Sequence, residues 1–157
     1  MRALQEQELG AFVASVNHFF KHATGDAAEV RSAYLAETGE YLPFFDFSGI
    51  VDVSGEWRGS LYFSAPRGML SHLLLSYGSE SYTDADHLDL IGEIANMFSG
   101  QARRELGEGL EISVPRRCTS IAIKPGSEPR PYVVPLAWRG FEAIVVVDLK
   151  TSRSPVS

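Results

Sequence analysis

The chain has 157 residues, of which 45% are hydrophobic and 22% are charged, proportions typical of one folded domain rather than a disordered or fibrous chain. Its 14 basic and 20 acidic residues give a net charge of -6, which disfavours unspecific binding to nucleic acid, so we expect no nucleic-acid partner. Cys118 is the single cysteine, which excludes an intrachain disulfide and disfavours a cysteine-based metal site.

No segment of the sequence is typical of secretion or membrane insertion. Polar residues 5–8 interrupt the start of the chain, where a signal peptide needs an unbroken apolar stretch. The longest apolar run is Ala143 to Val147, far short of the ~18 residues of a membrane span. We therefore expect a cytoplasmic protein without a membrane partner.

The first predicted element in chain order is an amphipathic helix of about five turns that ends at Gly25. Its apolar positions recur at steps of three and four and are Leu9, Phe12, Val13, Val16, Phe19, Phe20 and Ala23. Residues 29–38 are compatible with either a strand or a loop. The apolar segments Phe44–Val53 and Trp57–Ala65, joined by a turn at 54–56, then predict a β-hairpin.

Two further helices are predicted after the hairpin. Pro66 suits a first helical turn, where its missing N–H costs nothing, and Gly78 marks the end of this helix. Thr83 opens a longer helix that runs to about Leu106. Asp86 stands three residues after Thr83, an arrangement similar to a capping box.

The remainder of the chain is predicted to form strands. These strands are Leu110–Val114, Cys118–Lys124, Tyr132–Trp138 and Phe141–Leu149. The mixture of helices and strands indicates an α+β fold, with a mostly antiparallel sheet packed against long helices. We expect a single domain over residues 1–150 and a flexible, polar tail over residues 151–157.

The helix that begins at Thr83 has two distinct faces when its residues are placed at ~100° intervals. The predicted core arc contains Leu88, Ile91, Ala95, Phe98 and Ala102. Met97 borders a second arc, roughly opposite, that contains Asp89, Glu93, Asn96 and Gly100. Glu93 and Asn96 are surface neighbours because they are three residues apart. Gly100 leaves bare backbone beside them, which suits either close approach of a partner or a packing notch against a strand.

Other candidate sites have less support in the sequence. His18 and His22 are four residues apart, but no HExxH motif or obvious third ligand accompanies them, so we expect a solvated helix edge and no metal. Cys118 has no clear histidine partner and is expected to be a buried or half-buried strand cysteine. The sequence has no phosphate-binding glycine loop and no nucleophile elbow.

Residues 89–100 resemble the signature of the CheC/CheX/FliY family of chemotaxis phosphatases. In that signature an Asp or Ser is followed after three residues by Glu, after two more by Asn, and further along the chain by a proline. Asp89, Glu93 and Asn96 fill the first positions, and Pro115 takes the place of the proline. The resemblance covers roughly residues 6–149.

The signature occurs once in this chain, whereas CheC-type members carry it on two helices. The N-terminal helix contains Asn17, but the residue three positions before it is Ala14 rather than Glu. The chain is therefore most similar to the single-site CheX type.

The resemblance implies an activity. CheX-like proteins hydrolyse the aspartyl phosphate of a response regulator such as CheY, and the regulator carries Mg²⁺ and a lysine. Carried over to this chain, Asn96 would orient the attacking water and Glu93 would pair with the regulator's lysine. Asp89, Met97 and Gly100 would contact the partner. The chain itself would bind no metal or organic cofactor.

Two other functions stay open on the sequence. The same helix would act as a docking ridge in a non-catalytic module that binds a receiver domain or a flagellar switch protein. A homodimeric structural domain without a phosphoprotein partner is the third possibility. The family resemblance also implies a homodimer joined through sheet edges, which are natural templates for strand pairing.

Overall fold

A computed structural model describes residues 2–37, 39–107, 109–119 and 130–152. The helices, numbered in chain order, are α1 (Glu6–Thr24), α2 (Arg67–Ser76) and α3 (Asp84–Leu106). The strands, numbered in the same way, are β1 (Arg2–Ala3), β2 (Glu29–Val30), β3 (Tyr34–Leu35), β4 (Phe47–Gly55), β5 (Trp57–Ala65), β6 (Leu110–Ile112), β7 (Arg116–Thr119), β8 (Tyr132–Trp138) and β9 (Phe141–Thr151).

The described strands form one sheet in which every pairing is antiparallel. The strand order is β2-β8-β9-β5-β4-β6, with β1 beside β9, β3 beside β8 and β7 beside β4. The predicted α+β fold with a mostly antiparallel sheet is therefore confirmed. The segment at residues 29–38, compatible with strand or loop on the sequence, contributes the two short strands β2 and β3 at one edge.

The predicted hairpin is confirmed as β4 and β5, but its first strand begins at Phe47 rather than Phe44. The preceding residues bond to side chains instead of to a neighbouring strand. The Tyr62 hydroxyl donates to the Pro43 carbonyl at 2.9 Å, and the Phe45 N–H donates to Ser64 Oγ at 2.7 Å. Those bonds hold this segment outside the strand ladder.

Both long helices have well-defined ends. α1 ends at Gly25, whose φ of 82° is the left-handed conformation that glycine tolerates best. α3 begins with the predicted capping arrangement: the Asp86 N–H donates to Thr83 Oγ1 at 3.2 Å, and the Thr83 N–H donates to Asp86 Oδ2 at 2.9 Å. These bonds satisfy donors that would otherwise be left unpaired at a helix start.

The main core lies between the helices and one face of the sheet. Phe98 of α3 meets Phe19 of α1 and Phe63 of β5 edge-on, with ring centroids 5.7 and 5.4 Å apart. Loss of such a buried ring costs about 3–5 kcal/mol of stability, so this contact fixes α3 firmly. A smaller apolar cluster covers the other face of the sheet and contains Ala36, Leu42, Ile50, Tyr62, Val133, Ile144 and Val146.

A close approach of backbones sets the position of α3 over the sheet. A Cβ atom on Gly49 of β4 would lie 2.5 Å from the Ile91 carbonyl oxygen and 2.9 Å from Ala95 Cβ. Only glycine therefore lets β4 and α3 pack at this distance. This close packing fixes the distance between α3 and β4, and with it the distance between α3 and the sheet edge formed by β6 and β7.

Three predicted strand boundaries need correction or lie outside the described residues. Thr151, assigned to the flexible tail, is the buried last residue of β9, because its Oγ1 donates to the Glu56 carbonyl at 2.6 Å. The strand predicted over Leu110–Val114 ends at Ile112. The strand predicted over Cys118–Lys124 begins earlier, at Arg116, and its residues 120–124, like residues 153–157 of the tail, lie outside the described part of the chain.

Candidate functional site

The core face of α3 agrees with the prediction and extends further round the helix. Leu88 is half-buried, and the other four predicted positions are buried: Ile91, Ala95, Phe98 and Ala102. His87, Leu90 and Ile94 are also buried because α1 and α2 cover the flanks of α3. The helix wheel predicts a narrower buried face, because it considers contact of α3 with the sheet alone and not with α1 and α2.

The opposite face of α3 presents Glu93 and Asn96 together to solvent. Both residues are exposed, as the spacing predicts. Within the described parts of the chain, neither side chain has a hydrogen-bond or ion-pair partner. Their carboxylate and amide groups are therefore available to another molecule.

An open groove of ≈ 790 Å³ runs between this face of α3 and the sheet edge formed by β6 and β7, and we call it the charged groove. Its lining from α3 is Asp89, Gly92, Glu93, Asn96, Gly100 and Arg103. Its lining from the sheet edge is Ile112, Ser113, Val114, Pro115 and Arg117. The groove thus holds two carboxylates and two guanidinium groups around one amide.

Pro115 lies in the same groove as Glu93 and Asn96, although it is far from them in sequence. The segment that carries it is anchored to β4: the Ser113 N–H donates to the Asp52 carbonyl at 3.0 Å, and the Asp52 N–H donates to Ser113 Oγ at 2.9 Å. Ile112 pairs with Val53 and Arg116 with Ile50, so residues 113–115 stand opposite only two residues of β4. This extra residue interrupts the ladder between β6 and β7, and Pro115, which has no N–H to donate, lies in the interruption. The predicted Val114 therefore lies outside β6.

A second groove of ≈ 650 Å³ lies on the other side of Asn96, between α1 and α3, and we call it the aromatic groove. Asn96 and Gly100 line both grooves, and the aromatic groove adds His18, Phe19, His22, Tyr77, Met97 and Arg104. Met97 is 51% exposed, so its side chain is available for contact. Asn96 therefore stands on a ridge between two grooves of different character.

Tyr77 links the aromatic groove to Glu93. Burial, and then the negative charge of Glu93, raise the pKa of the Tyr77 phenol above its ordinary value. A phenol is protonated at neutral pH even at its ordinary pKa, so Tyr77 offers a hydrogen-bond donor in the aromatic groove that Asn96 also lines.

Gly100 leaves open space rather than a packing notch. A Cβ atom placed on Gly100 would meet nothing within 4 Å. The notch alternative is therefore wrong, because none of the described strands packs against this glycine. What remains is clearance for an approaching partner, beside Asn96 and within both grooves.

Several residues of the site region had no role in the sequence analysis, among them Gly92, Arg103, Arg117 and Tyr77. Arg103 follows Asn96 by seven residues, two helical turns, so the helix wheel contained a signal for it. Arg117 lies on a strand, and no local pattern connects it to α3. His87 is a buried structural residue: its Nε2 lies 2.8 Å from Ser71 Oγ, its Nδ1 lies 2.6 Å from the Thr83 carbonyl, and its ring stacks on Phe47.

The described residues provide no metal-binding cluster. The rings of His18 and His22 stack at 5.6 Å on the exposed side of α1, and no group of three or more His, Cys, Asp or Glu residues in the described ranges is arranged to hold a metal ion. Cys118 is half-buried in β7, as expected, and burial raises the pKa of its thiol. Among the helices that the structure describes, none combines the length and apolarity of a membrane span.

The fold and the signature helix define an α+β protein of the CheC/CheX type. Chemotaxis protein CheX from Vibrio vulnificus superposes with a TM-score of 0.80 at 20% identity, covering 92% of this chain and 99% of that one. A CheC-like superfamily protein from a Shewanella species superposes with a TM-score of 0.82 at 18% identity, covering 94% of this chain and 99% of that one. The CheX of a CheX–CheY–BeF3–Mg complex from Borrelia burgdorferi superposes with a TM-score of 0.70 at 16% identity, covering 91% of this chain and 97% of that one.

The sequence itself places the chain within one family. The family model described as chemotaxis phosphatase CheX matches residues 47–135, more than half of the chain. The protein belongs to the CheX family, which confirms the resemblance to the CheC/CheX/FliY family. No curated protein sequence matches the chain.

Proposed function

We propose that the protein is a phosphatase that hydrolyses the aspartyl phosphate of a CheY-like response regulator. The observation that carries the proposal is the exposed Glu93 and Asn96 of α3, which line the charged groove with Pro115 and have no hydrogen-bond or ion-pair partner among the described residues. Membership of the CheX family and the fold shared with the CheX of a CheX–CheY complex support it.

The chemistry suits a site with few functional groups. In hydrolysis, the oxygen of a water molecule attacks phosphorus and the bond from phosphorus to the acyl oxygen breaks. The products are the free aspartate carboxylate and inorganic phosphate, which retains the protons of the water. Since an acyl phosphate is already activated, positioning and charge contribute more than a strong base.

Asn96 would orient the water, and Glu93 would fix the register of docking. An amide both donates and accepts hydrogen bonds and does not titrate, so Asn96 can hold a water in one orientation at any physiological pH. A carboxylate forms a charge-assisted bond with an ammonium group, so Glu93 would pair with the lysine of the regulator. Mg²⁺ would remain on the regulator, and this chain would supply no cofactor.

The ridge shape supports a docked partner. Met97 offers an adaptable apolar contact, and the empty space over Gly100 offers clearance on the same side. Asp89 borders the contact, but its carboxylate binds Arg117 within this chain. In the described part of the sheet, the edge formed by β2 with β3 lies at the opposite end from the charged groove and would allow the homodimer that the family implies.

The test uses a CheY-like receiver domain from the same genome, phosphorylated with acetyl phosphate. Phosphate release is followed after the phosphodonor is removed, with and without this protein. Faster loss of phosphate with catalytic amounts of the protein is expected. Binding of the phosphorylated receiver without faster release would instead identify the non-catalytic docking module.

A further inference from the structure

Arg117 crosses from the sheet edge to α3 and lies along the wall of the charged groove. It belongs to β7, where it is paired with Gly49 of β4. Its side chain passes over Gly92, the residue just before Glu93. A Cβ atom on Gly92 would lie 2.6 Å from Arg117 Cδ and 2.9 Å from Cγ. The path of this arginine therefore depends on a glycine within the signature helix.

The guanidinium of Arg117 binds one of the two carboxylates on the exposed face of α3. Nη1 of Arg117 donates to Oδ1 of Asp89, and both side chains are largely exposed. Glu93 lies one turn further along the same face and has no ion pair within the described residues. On this face of α3, the carboxylate of Asp89 is thus neutralised by Arg117, and the carboxylate of Glu93 is left for a partner.

We propose that Arg117 is a positioning residue of this site, which neutralises Asp89 so that Glu93 alone receives the lysine of the partner. The inference rests on the proposed function. The phosphorylated surface of the partner carries a phosphoryl group with negative charge as well as a lysine. A second free carboxylate beside Glu93 would repel the phosphoryl group and compete for the lysine. Arg117 therefore promotes productive docking without touching the reacting atoms.

The structure provides a matched control for removal of this charge. Arg116 is adjacent in β7, and its Nη2 donates to Asp52 Oδ1 at 3.0 Å in an equally exposed pair outside the charged groove. Arg116→Gln and Arg117→Gln change the net charge of the protein by the same amount. Exposed pairs of this kind contribute little to stability, so both variants should fold.

The experiment measures the rate of phosphate release against the concentration of acetyl-phosphate-treated receiver. Arg117→Gln is expected to raise the receiver concentration for half-maximal rate roughly three- to tenfold, with the maximal rate nearly unchanged and the difference reduced at high salt. Arg116→Gln should match the parent protein. Asp89→Asn combined with Arg117→Gln should recover most of the lost affinity, because no free carboxylate is then exposed at position 89.

Each outcome decides the inference. Equal behaviour of Arg117→Gln and Arg116→Gln, with an active parent, would overturn it and leave the phosphatase function standing. A double variant as impaired as Arg117→Gln would also overturn it, because Arg117 would then act on the partner directly. If the parent neither binds nor dephosphorylates the receiver, both proposals fail. Should Arg117→Gln not fold, Gly92→Ala displaces the same side chain with every charge kept, and it must show the same loss of affinity.

Discussion

The two long helices α1 and α3 pack on the same face of the sheet, and each carries an asparagine near its middle, yet the two asparagines differ in their surroundings. Asn17 of α1 is half-buried, and its Oδ1 atom is enclosed without a hydrogen-bond partner in the described residues. Asn96 of α3 is exposed on a ridge between two grooves. The same residue type in a similar place on a helix therefore differs in whether its amide is free to contact another molecule.

The exposed neighbours of the two asparagines differ in chemistry rather than in exposure. Ala14 and Lys21 stand three residues before and four residues after Asn17, and both are exposed. Glu93 and Gly100 stand at the same two spacings from Asn96, and both are exposed as well. Beside its asparagine, α1 therefore lacks the carboxylate and the open backbone that α3 presents. This contrast is consistent with a single site in this chain.

The strongest test compares the two asparagines directly. Asn96→Ala should reduce dephosphorylation of the receiver by about 100-fold or more, since it removes a preorganised polar group that acts on the transition state. Asn17→Ala should leave the rate close to that of the parent. Single-turnover release of phosphate measures both, and circular dichroism checks folding. If Asn96→Ala retains parental activity, the water-positioning role must be abandoned.

A second test concerns how each helix is held. Gly49→Ala should destabilise the protein by about 1–3 kcal/mol, because the added methyl would press on the backbone of Ile91 and separate α3 from β4. Gly10→Ala in α1, where a Cβ would meet nothing within 4 Å, should stabilise by up to about 1 kcal/mol. Urea denaturation followed by circular dichroism gives both values. A neutral Gly49→Ala would contradict the close packing of α3.

The third prediction addresses the charge on the ridge. Glu93→Ala should lower kcat/KM roughly tenfold and also weaken binding of the phosphorylated receiver, because its ion pair would form before the chemical step. Glu105→Ala, an exposed carboxylate near the end of α3 outside both grooves, is the control for loss of one negative charge. Binding that is unchanged in Glu93→Ala would argue against the lysine contact.

The fourth prediction concerns the open space over Gly100, beside Asn96. Gly100→Leu should raise the receiver concentration for half-maximal rate about fivefold, since a bulky side chain would occupy the space beside Asn96 without removing a reactive group. Gly100→Ala adds only a methyl group to open space and should have a smaller effect. The rate measured over a range of receiver concentrations separates the two, and equal values for both variants would indicate that no partner approaches here.

The smallest effect is expected from an attempt to build a second site. Ala14→Glu would place a glutamate three residues before Asn17 and reproduce the sequence spacing of Glu93 and Asn96. In an Asn96→Ala background, this change should restore no phosphatase activity, because the Asn17 amide is partly enclosed. Recovered activity would show that the spacing alone is sufficient.

Much of the fold followed from patterns that are local in sequence. The helix over 84–106 and its capping residues were predictable because apolar periodicity and the Thr83 and Asp86 pair act within a few residues of each other. Errors occurred where side chains from distant segments replaced local bonds. The sequence predicts a strand at Phe44, but the hydroxyls of Tyr62 and Ser64 hold that segment outside the ladder. It predicts a tail at Thr151, but the carbonyl of Glu56 anchors this residue.

For the site, the sequence by itself determined that Glu93 and Asn96 share an exposed face, since helical geometry relates residues three positions apart without reference to the rest of the chain. Only the tertiary structure decided what stands opposite that face. Pro115 and Arg117 reach the charged groove because β7 pairs with β4, and Gly49 of β4 brings α3 close to the same edge. Such contacts depend on sheet pairing between distant segments, which local spacing does not encode.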